Sequence, residues 1–390
     1  MAKRVVVTGI GAVTPLGNTF MESWEGVKAG RRGIGPIRRF DASGLKWQAA
    51  GELRGFSPER HLPPKDIRRL DPFVQYAAAA ALMAAEDSGL EDMSTAGVVI
   101  GSSRGGIGTL EGSGARASAY LMPSTTVGMA SSYVALRLGI KGHTLGISNA
   151  CSSGANAIGE AFRLIRHGLL RTVLAGGAEA PICELCIKGY GASGVLSSAG
   201  VSRPFDRRRD GFVLSEGACV LVLEELESAL KRGVRIYGEI SGYGNTSDAL
   251  HQTVPDREGQ ARAMRAALSE AAVSPSDIGY INAHAASTPL GDRTEAGAIA
   301  LVFGNNGTPV GSLKSMTGHM LAASGAFEAA VTLMSIREGI IPSNINLEEP
   351  EGGLNYIRRA EKAALRKALS NSFGFGGVNA VLVFSALGSD

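Results

Sequence analysis

The chain is poor in the residues that several function classes require. It has four cysteines, at 151, 183, 186 and 219, and six histidines. One Cys-x-x-Cys pair occurs (Cys183 and Cys186), but no second pair and no closely spaced histidines complete it, so the spacing does not make a zinc site and the pair reads as structural. No uninterrupted apolar run reaches the roughly 18 residues a membrane-spanning helix needs. Charged residues are only 19% of the chain and the net charge is +3, and no basic stretch interleaved with aromatics is present, which argues against nucleic acid as a partner. No Gly-Lys-Ser/Thr phosphate loop occurs. Gly9-Ile10-Gly11 opens a dinucleotide fingerprint, but Thr14 stands where its third glycine belongs and Pro15 spoils the helix start.

What the chain does have is length, apolar content and glycine. Its 390 residues, 44% hydrophobic, suit a large core and two domains. The 53 glycines point to many turns and close backbone approaches. Met1-Ala2-Lys3-Arg4 before Val5-Val6-Val7 looks like the start of a signal peptide, but Gly9, Gly11, Pro15 and Gly17 interrupt the apolar region early. A first strand over Arg4 to Thr8 followed by a turn fits better, and a reduced cysteine set suits the cytoplasm.

Strand-like runs at Gly97 to Gly101, Thr172 to Gly176 and Ala218 to Glu224 alternate with alanine-rich helical ones at Phe73 to Asp87 and Gly154 to Arg166. Alternation of this kind predicts α/β layering. There is also an internal echo. Ser152 to Gly168 aligns without gaps on Ala323 to Gly339 with six of 17 positions identical, both segments entering through Ser-Gly-Ala and leaving through glycine. Two pseudo-equivalent halves are expected, residues 1–235 and 236–390, divided after the polar helix Leu223 to Gly233 and before a strand at Ile236 to Ile240. Cys151 falls opposite Ala322, so the halves carry different chemistry.

Cys151 sits in Ser148-Asn149-Ala150-Cys151-Ser152-Ser153-Gly154, where the β-rich run His143 to Ile147 gives way to a helix. A helix N-terminus offers unpaired N–H groups and a favourable dipole, which would lower the thiol pKa from roughly 8.5 and yield a ready acyl acceptor. Taken alone, such a residue is more often a small buried apolar side chain. Its companions decide. His284 follows the strand Ile278 to Ile281, at the end of a sheet where α/β sites are commonly built, and His319 lies in Ser312-Leu313-Lys314-Ser315-Met316-Thr317-Gly318-His319, leading into the second echoed helix. Asn371-Ser372-Phe373-Gly374-Phe375-Gly376-Gly377-Val378-Asn379 is a glycine-dense turn whose N–H groups could bind an oxyanion.

With these motifs in this order, joined by Val6 to Gly11, Thr14 to Gly17, and Arg203-Pro204-Phe205-Asp206 with Arg209-Asp210-Gly211-Phe212, the chain resembles the elongating, type II-like β-ketoacyl-acyl carrier protein synthases over nearly its whole length. The resemblance implies a thiolase-like αβαβα fold and a decarboxylative condensation of malonyl thioester with an acyl group held on Cys151. It implies that His284 and His319 stabilise the enolate, that Lys314 organises the site through an ion pair with Glu328, and that the N–H groups of Cys151 and Phe375 form an oxyanion hole. The Phe375 ring would gate the site. Thr253 and Thr288 match positions that bond pantetheine amides, though each is also an ordinary loop hydroxyl. Acyl carrier protein is the implied partner, docking on the basic residues Lys65, Arg68, Arg69 and Arg207, which otherwise read as solvated faces. A cytoplasmic homodimer with no cofactor and no metal completes the expectation.

The chain departs from that pattern in places. Ala285-Ala286 replaces a usual Gly-Thr after His284, Val378 replaces a usual threonine, and Glu111 to Leu121 is a shortened stretch. A ketosynthase of a specialised polyketide or lipid pathway is therefore the alternative. A noncatalytic chain-length partner is disfavoured because the cysteine is kept, and a thiolase because no cysteine follows Cys219.

Overall fold

A computed structural model describes residues 2–114, 118–304 and 307–388. Residues 115–117 of the shortened Glu111 to Leu121 stretch lie outside the described residues, as does Met1. The chain order of the main strands is β1 (Val5–Val13), β2 (Gly97–Gly101), β3 (Thr144–Ile147), β4 (Thr172–Glu179), β5 (Gly217–Glu225), β6 (Gly238–Ser247), β7 (Tyr280–Asn282), β8 (Pro309–Gly311), β9 (Asn355–Tyr356), β10 (Lys367–Gly374) and β11 (Val378–Ser385). The principal helices are α1 (Pro72–Ser88), α2 (Met129–Leu138), α3 (Ser153–Arg166), α4 (Arg257–Ala271), α5 (Pro289–Phe303) and α6 (Ala322–Glu338). Among the described residues, no helix is long and apolar enough to cross a membrane.

All eleven strands form one hydrogen-bonded sheet in the order β9-β8-β7-β10-β11-β6-β1-β5-β4-β2-β3. Its two wings have the same topology. In one, β2 runs parallel to β3 and β4, and β5 and β1 follow antiparallel. In the other, β7 runs parallel to β8 and β10, and β11 and β6 follow antiparallel. The wings join where β1 pairs with β6, Val5 opposite Ile240. Helices α3 and α6 pack on each other and touch strands of both wings, while α1 covers β1 and β5 and α4 covers β6 and β11. The layering is αβαβα, as expected.

The first strand is longer than its sequence suggests, running through Gly9 and Gly11 to Val13 rather than turning after Thr8. A Cβ on Gly9 would stand 2.2 Å from the Ala84 carbonyl oxygen, and one on Gly11 2.1 Å from that of Ala80. These glycines therefore let α1 approach the strand, and they do not break it. The same device recurs in the other wing. Gly242 and Gly244 of β6 would meet the Ala267 and Ala263 carbonyls of α4 at 2.2 and 2.0 Å. The strand expected at Ile236 to Ile240 accordingly begins at Gly238 and continues to Ser247. Ile236 instead packs beside Leu226 and Ala229.

The echoed segments are the two central helices, α3 and α6. Gly154 and Gly325 set their spacing, with Gly154 pressed on the Ala322 carbonyl and Gly325 on Ala155. The crossing brings both helix N-termini, and the loops that feed them, to one end of the sandwich.

Candidate active site

Cys151 occupies a single 3₁₀ turn, Ala150–Ser152, between β3 and α3. Ala150 has φ +48°, a left-handed conformation that a side chain adopts only under constraint. The constraint is local. The Ser153 hydroxyl accepts from the Asn149 N–H at 2.8 Å and donates to the Ala150 carbonyl at 2.6 Å, and the Ser152 hydroxyl donates to the Asn149 carbonyl at 2.7 Å. The thiol is buried, and burial pushes it up to about 11 against the pull of Lys314, Arg104 and the Phe375 N–H. This corrects the expected low-pKa thiolate. A helix N-terminus contributes of order 1 kcal/mol, whereas removal from water raises a buried acid by several pKa units. Cys183 and Cys186 are also free and buried, within the same apolar cluster as Cys151.

The loop after β7 carries His284. Its N–H and that of Ala285 both donate to the Glu295 carboxylate of α5, at 2.8 and 2.6 Å, and the Asn371 side-chain amide adds a third bond at 2.9 Å. Burial pushes Glu295 up to about 7. His319 is held as if in a strand, its N–H bonded to the Val213 carbonyl at 2.8 Å and its carbonyl to the Ser215 N–H at 3.0 Å. The two imidazoles stand nearly perpendicular, ring centres 5.3 Å apart.

The Ser324 hydroxyl oxygen accepts from the Met320 N–H at 2.9 Å and lies 3.2 Å from His319 Nδ1. With the Ser324 hydroxyl donating to Nδ1, the neutral ring carries its N–H on Nε2. Burial, reinforced by Lys314, holds both imidazoles well below the usual histidine range, so they are neutral.

Lys314 is fully buried and pairs with Glu328 at 2.5 Å. It does not line the cavity; its charge acts from behind. Cys151, His284, His319 and Phe375 share the walls of a cavity of about 350 Å³ with Thr253 and Thr288. Gly374 must be glycine for this, because a Cβ there would stand 2.7 Å from the Asn149 carbonyl oxygen and 3.3 Å from the Cys151 nitrogen. The Phe375 N–H favours the ionised Cys151 sulfur, the least of the influences opposing burial. Hydrogen bonds from Gly376 N–H to the Gln252 carbonyl and from Asp248 N–H to the Gly377 carbonyl tie this turn to the 248–252 loop. The Thr288 hydroxyl caps α5 by accepting from the Gly291 N–H at 3.2 Å, which leaves its proton for a ligand. Thr253 is exposed at the mouth. Ala286 lines the wall with a methyl where a hydroxyl was the resemblance's expectation.

The basic residues divide. Lys65 and Arg68 are exposed at a helix of one turn, Pro64–Ile67, while the Arg69 guanidinium lies 4.4 Å over the Tyr120 ring. Arg207 is exposed, but its neighbours do not extend a basic patch. Arg208 is paired with Asp206, Glu348 and Glu349. Arg209 is buried, pairs with Glu351 at 2.6 Å, and donates to the Thr288 and Pro289 carbonyls at 3.1 and 2.7 Å. It pins the cavity mouth. Glu295 and Ser324 are supporting groups that motif reading passed over, though Ser324, five residues after His319 in the echoed Ser-Gly-Ala, left a trace in the sequence; Arg209 was read there as part of a motif and a basic cluster, not as a buried support.

The burial of Cys151 sets its pH response. Its alkylation by iodoacetamide, followed by peptide mass, should climb about tenfold per pH unit from pH 7 to about 10, since the folded thiol titrates near 11. A plateau reached by pH 8 would show instead that the helix terminus outweighs burial.

Known proteins resemble this one over nearly the whole chain. Residues 2–229 match the family model for the beta-ketoacyl synthase N-terminal domain and residues 237–348 that for its C-terminal domain. A curated relative, 3-oxoacyl-[acyl-carrier-protein] synthase 2 of Synechocystis sp., is 44% identical over 406 residues, covering 98% of both chains. The ishigamide ketosynthase/chain length factor superposes with a TM-score of 0.94 at 36% identity, covering 100% of both chains. A type II PKS acyl-carrier protein in complex with its ketosynthase, bound to the hexaketide, gives 0.90 at 32% identity, covering 99% of this chain and 100% of that one. The thiol, the two neutral imidazoles and the lysine behind them thus stand in a chain that belongs to the beta-ketoacyl synthase family.

Proposed function

We propose that the protein is a β-ketoacyl-acyl carrier protein synthase that elongates an acyl chain by decarboxylative condensation with malonyl thioester. The convergence of Cys151, His284, His319 and the Phe375 N–H on one cavity carries this reading. Acyl transfer begins as the Cys151 sulfur attacks the thioester carbon of an acyl carrier protein. The carbonyl oxygen, becoming an oxyanion, meets the N–H groups of Cys151 and Phe375. The carrier's thiolate leaves and takes up the thiol proton, a neutral imidazole being at hand to relay it.

Malonyl thioester then enters the same cavity, its pantetheine arm beside Thr253 and Thr288. Its carbonyl oxygen lies between the two imidazole N–H donors. The bond to the carboxylate breaks, carbon dioxide departs, and the electron pair becomes an enolate that those donors stabilise. The enolate carbon attacks the acyl-cysteine, a carbon-carbon bond forms, and the Cys151 thiolate is expelled and reprotonated. Lys314, paired with Glu328, keeps the imidazoles neutral and favours the expelled thiolate. Phe375, on a turn flanked by Gly374 and by Gly376 at φ +84°, is placed to open the cavity to malonyl thioester after acylation.

Service in a specialised polyketide or lipid pathway is the second reading, favoured by Ala286 at the cavity wall in place of a hydroxyl. The chain divides near residue 235 under either reading, the nucleophile in the first half and the imidazoles and lysine in the second. Four free thiols suit a cytoplasmic enzyme. Strand β3 is an exposed sheet edge, with Leu145 39%, Leu136 73% and Met122 64% exposed around it, and an unpaired apolar edge of this kind suits pairing with a second copy. Light scattering should give twice the 40.3 kDa chain mass, and Leu145→Lys should shift it toward one; a wild-type monomer would rule the dimer out.

Incubation with acyl carrier protein thioester should add one acyl mass to the wild type, to Cys183→Ala and to Cys186→Ala, and none to Cys151→Ala. His284→Ala and His319→Ala should acylate normally and lose condensation by about 10²–10³-fold, the cost of removing an oxyanion donor. Normal condensation by either variant would remove its assigned role. Charge reversal at Arg68 and Arg69 should raise KM for carrier-bound substrate roughly fivefold, with an effect that fades in salt, and leave pantetheine thioesters unaffected. Equal effects on both substrates would place the docking surface elsewhere.

A further inference from the structure

Cys151 has two kinds of surroundings. Toward Thr253 and Thr288 the cavity is open; on the other side lies an apolar cluster with Cys186, Ile187 and Phe212, against which Tyr190 packs. Tyr190 meets Phe212 edge-on at 5.5 Å, and Phe212 meets the His319 ring at 5.2 Å. A thioester carries its pantetheine arm and its acyl chain on opposite sides of the carbonyl. With the arm in the open cavity, the acyl chain on Cys151 runs toward the cluster and Tyr190.

One exposed residue beside Tyr190, Arg104, is out of keeping with an alkyl-binding surface. Arg104 sits on the turn after β2, and that turn is clamped by Glu179, a fully buried carboxyl at the end of β4. Glu179 accepts from the Ser103 N–H and from the Ser102 hydroxyl, which in turn accepts from the Gly105 N–H at 3.1 Å. So held, the Arg104 guanidinium lies 5.8 Å over the Tyr190 ring, and its charge reaches the Cys151 thiol. Its Nε donates to Ser103 Oγ at 3.2 Å. Neither Nη makes a hydrogen bond or ion pair among the described residues. A carboxyl with its second oxygen buried and unpartnered is thus retained to position a cation whose strongest donors are unused.

We propose that Arg104 is a specificity-determining residue, whose free Nη donors select acyl chains bearing a ketone oxygen over plain alkyl chains of the same length. An alkyl chain laid beside the guanidinium strips its water and returns nothing; a ketone oxygen accepts a charge-assisted hydrogen bond there. The inference rests on Cys151 being the acyl acceptor.

The test compares hexanoyl and 5-oxohexanoyl N-acetylcysteamine thioesters as donors to the whole enzyme. In each case the bond from carbon to the Cys151 sulfur forms, that to N-acetylcysteamine breaks, and the thiol proton leaves with the released thiol. Intact mass over time gives the acylation rate. The oxo chain should load about tenfold faster, the scale of one hydrogen bond to a charged donor. Arg104→Leu should abolish that preference, and Arg104→Lys should keep part of it. Equal or faster loading of the hexanoyl chain, or an undiminished preference in Arg104→Leu, overturns the proposal while leaving Cys151 as acceptor. Failure of both thioesters to label Cys151 overturns both readings.

Discussion

The buried ion pair of Lys314 and Glu328 is the interaction on which the site's chemistry depends. Both side chains are out of water, 0% and 2% exposed, and removing one partner from such a pair typically costs about 3–5 kcal/mol because the other charge is left uncompensated. Glu328 anchors the lysine from the middle of α6, and Lys314 sits five residues before His319. Burial first, and then a fixed cation beside them, makes protonation of the two imidazoles costly, which keeps each a hydrogen-bond donor through one nitrogen and prevents them from becoming competing charges. The same cation is the first-ranked influence favouring the Cys151 thiolate. Burial comes first for all three groups, and this one charge adds to it at the imidazoles and opposes it at the thiol, acting from behind the cavity.

Duplicated topology explains how these groups meet. Each wing of the sheet feeds a central helix through a loop at the same end, and the glycine contacts between α3 and α6 bring those loops together. Cys151, the proposed nucleophile, comes from the loop before α3, and His319 and Lys314 from the segment before α6. The remaining members, His284 and Phe375, end β7 and β10, strands that are themselves paired in parallel. A repeat that first built a symmetric scaffold thus presents an asymmetric site, with sulfur on one side and imidazoles on the other.

The sequence made the site residues legible because each lies in a motif at a strand or helix end, where local residue type reports chemistry. Strand extents were harder to read. Gly9 and Gly11 look like breaks, and so do Gly242 and Gly244, but all four serve close helix approach, a property of the partner element that local pattern does not carry. Arg207-Arg208-Arg209 reads as one basic cluster, yet folding buries Arg209 under Glu351 and two carbonyls and pairs Arg208 with three carboxylates. The thiol was misjudged for a related reason. Motif position shows the helix terminus, and only the packed structure shows how completely that terminus is removed from water.

That removal has a chemical use. The desolvation that raises the Cys151 thiol penalises the thiolate, but it does not penalise the acyl-enzyme, which is neutral and apolar at the same atom. The buried sulfur is thus uncharged both as the free thiol and as the proposed thioester, and the cost of burial falls only on the anion, as the sulfur attacks and again as it leaves. There the groups that oppose burial become decisive: the Lys314 charge, the Arg104 charge and the Phe375 N–H all favour the thiolate. Burial and the groups that oppose it therefore act on the same short-lived species, the sulfur anion, and leave the uncharged resting and acylated forms untouched.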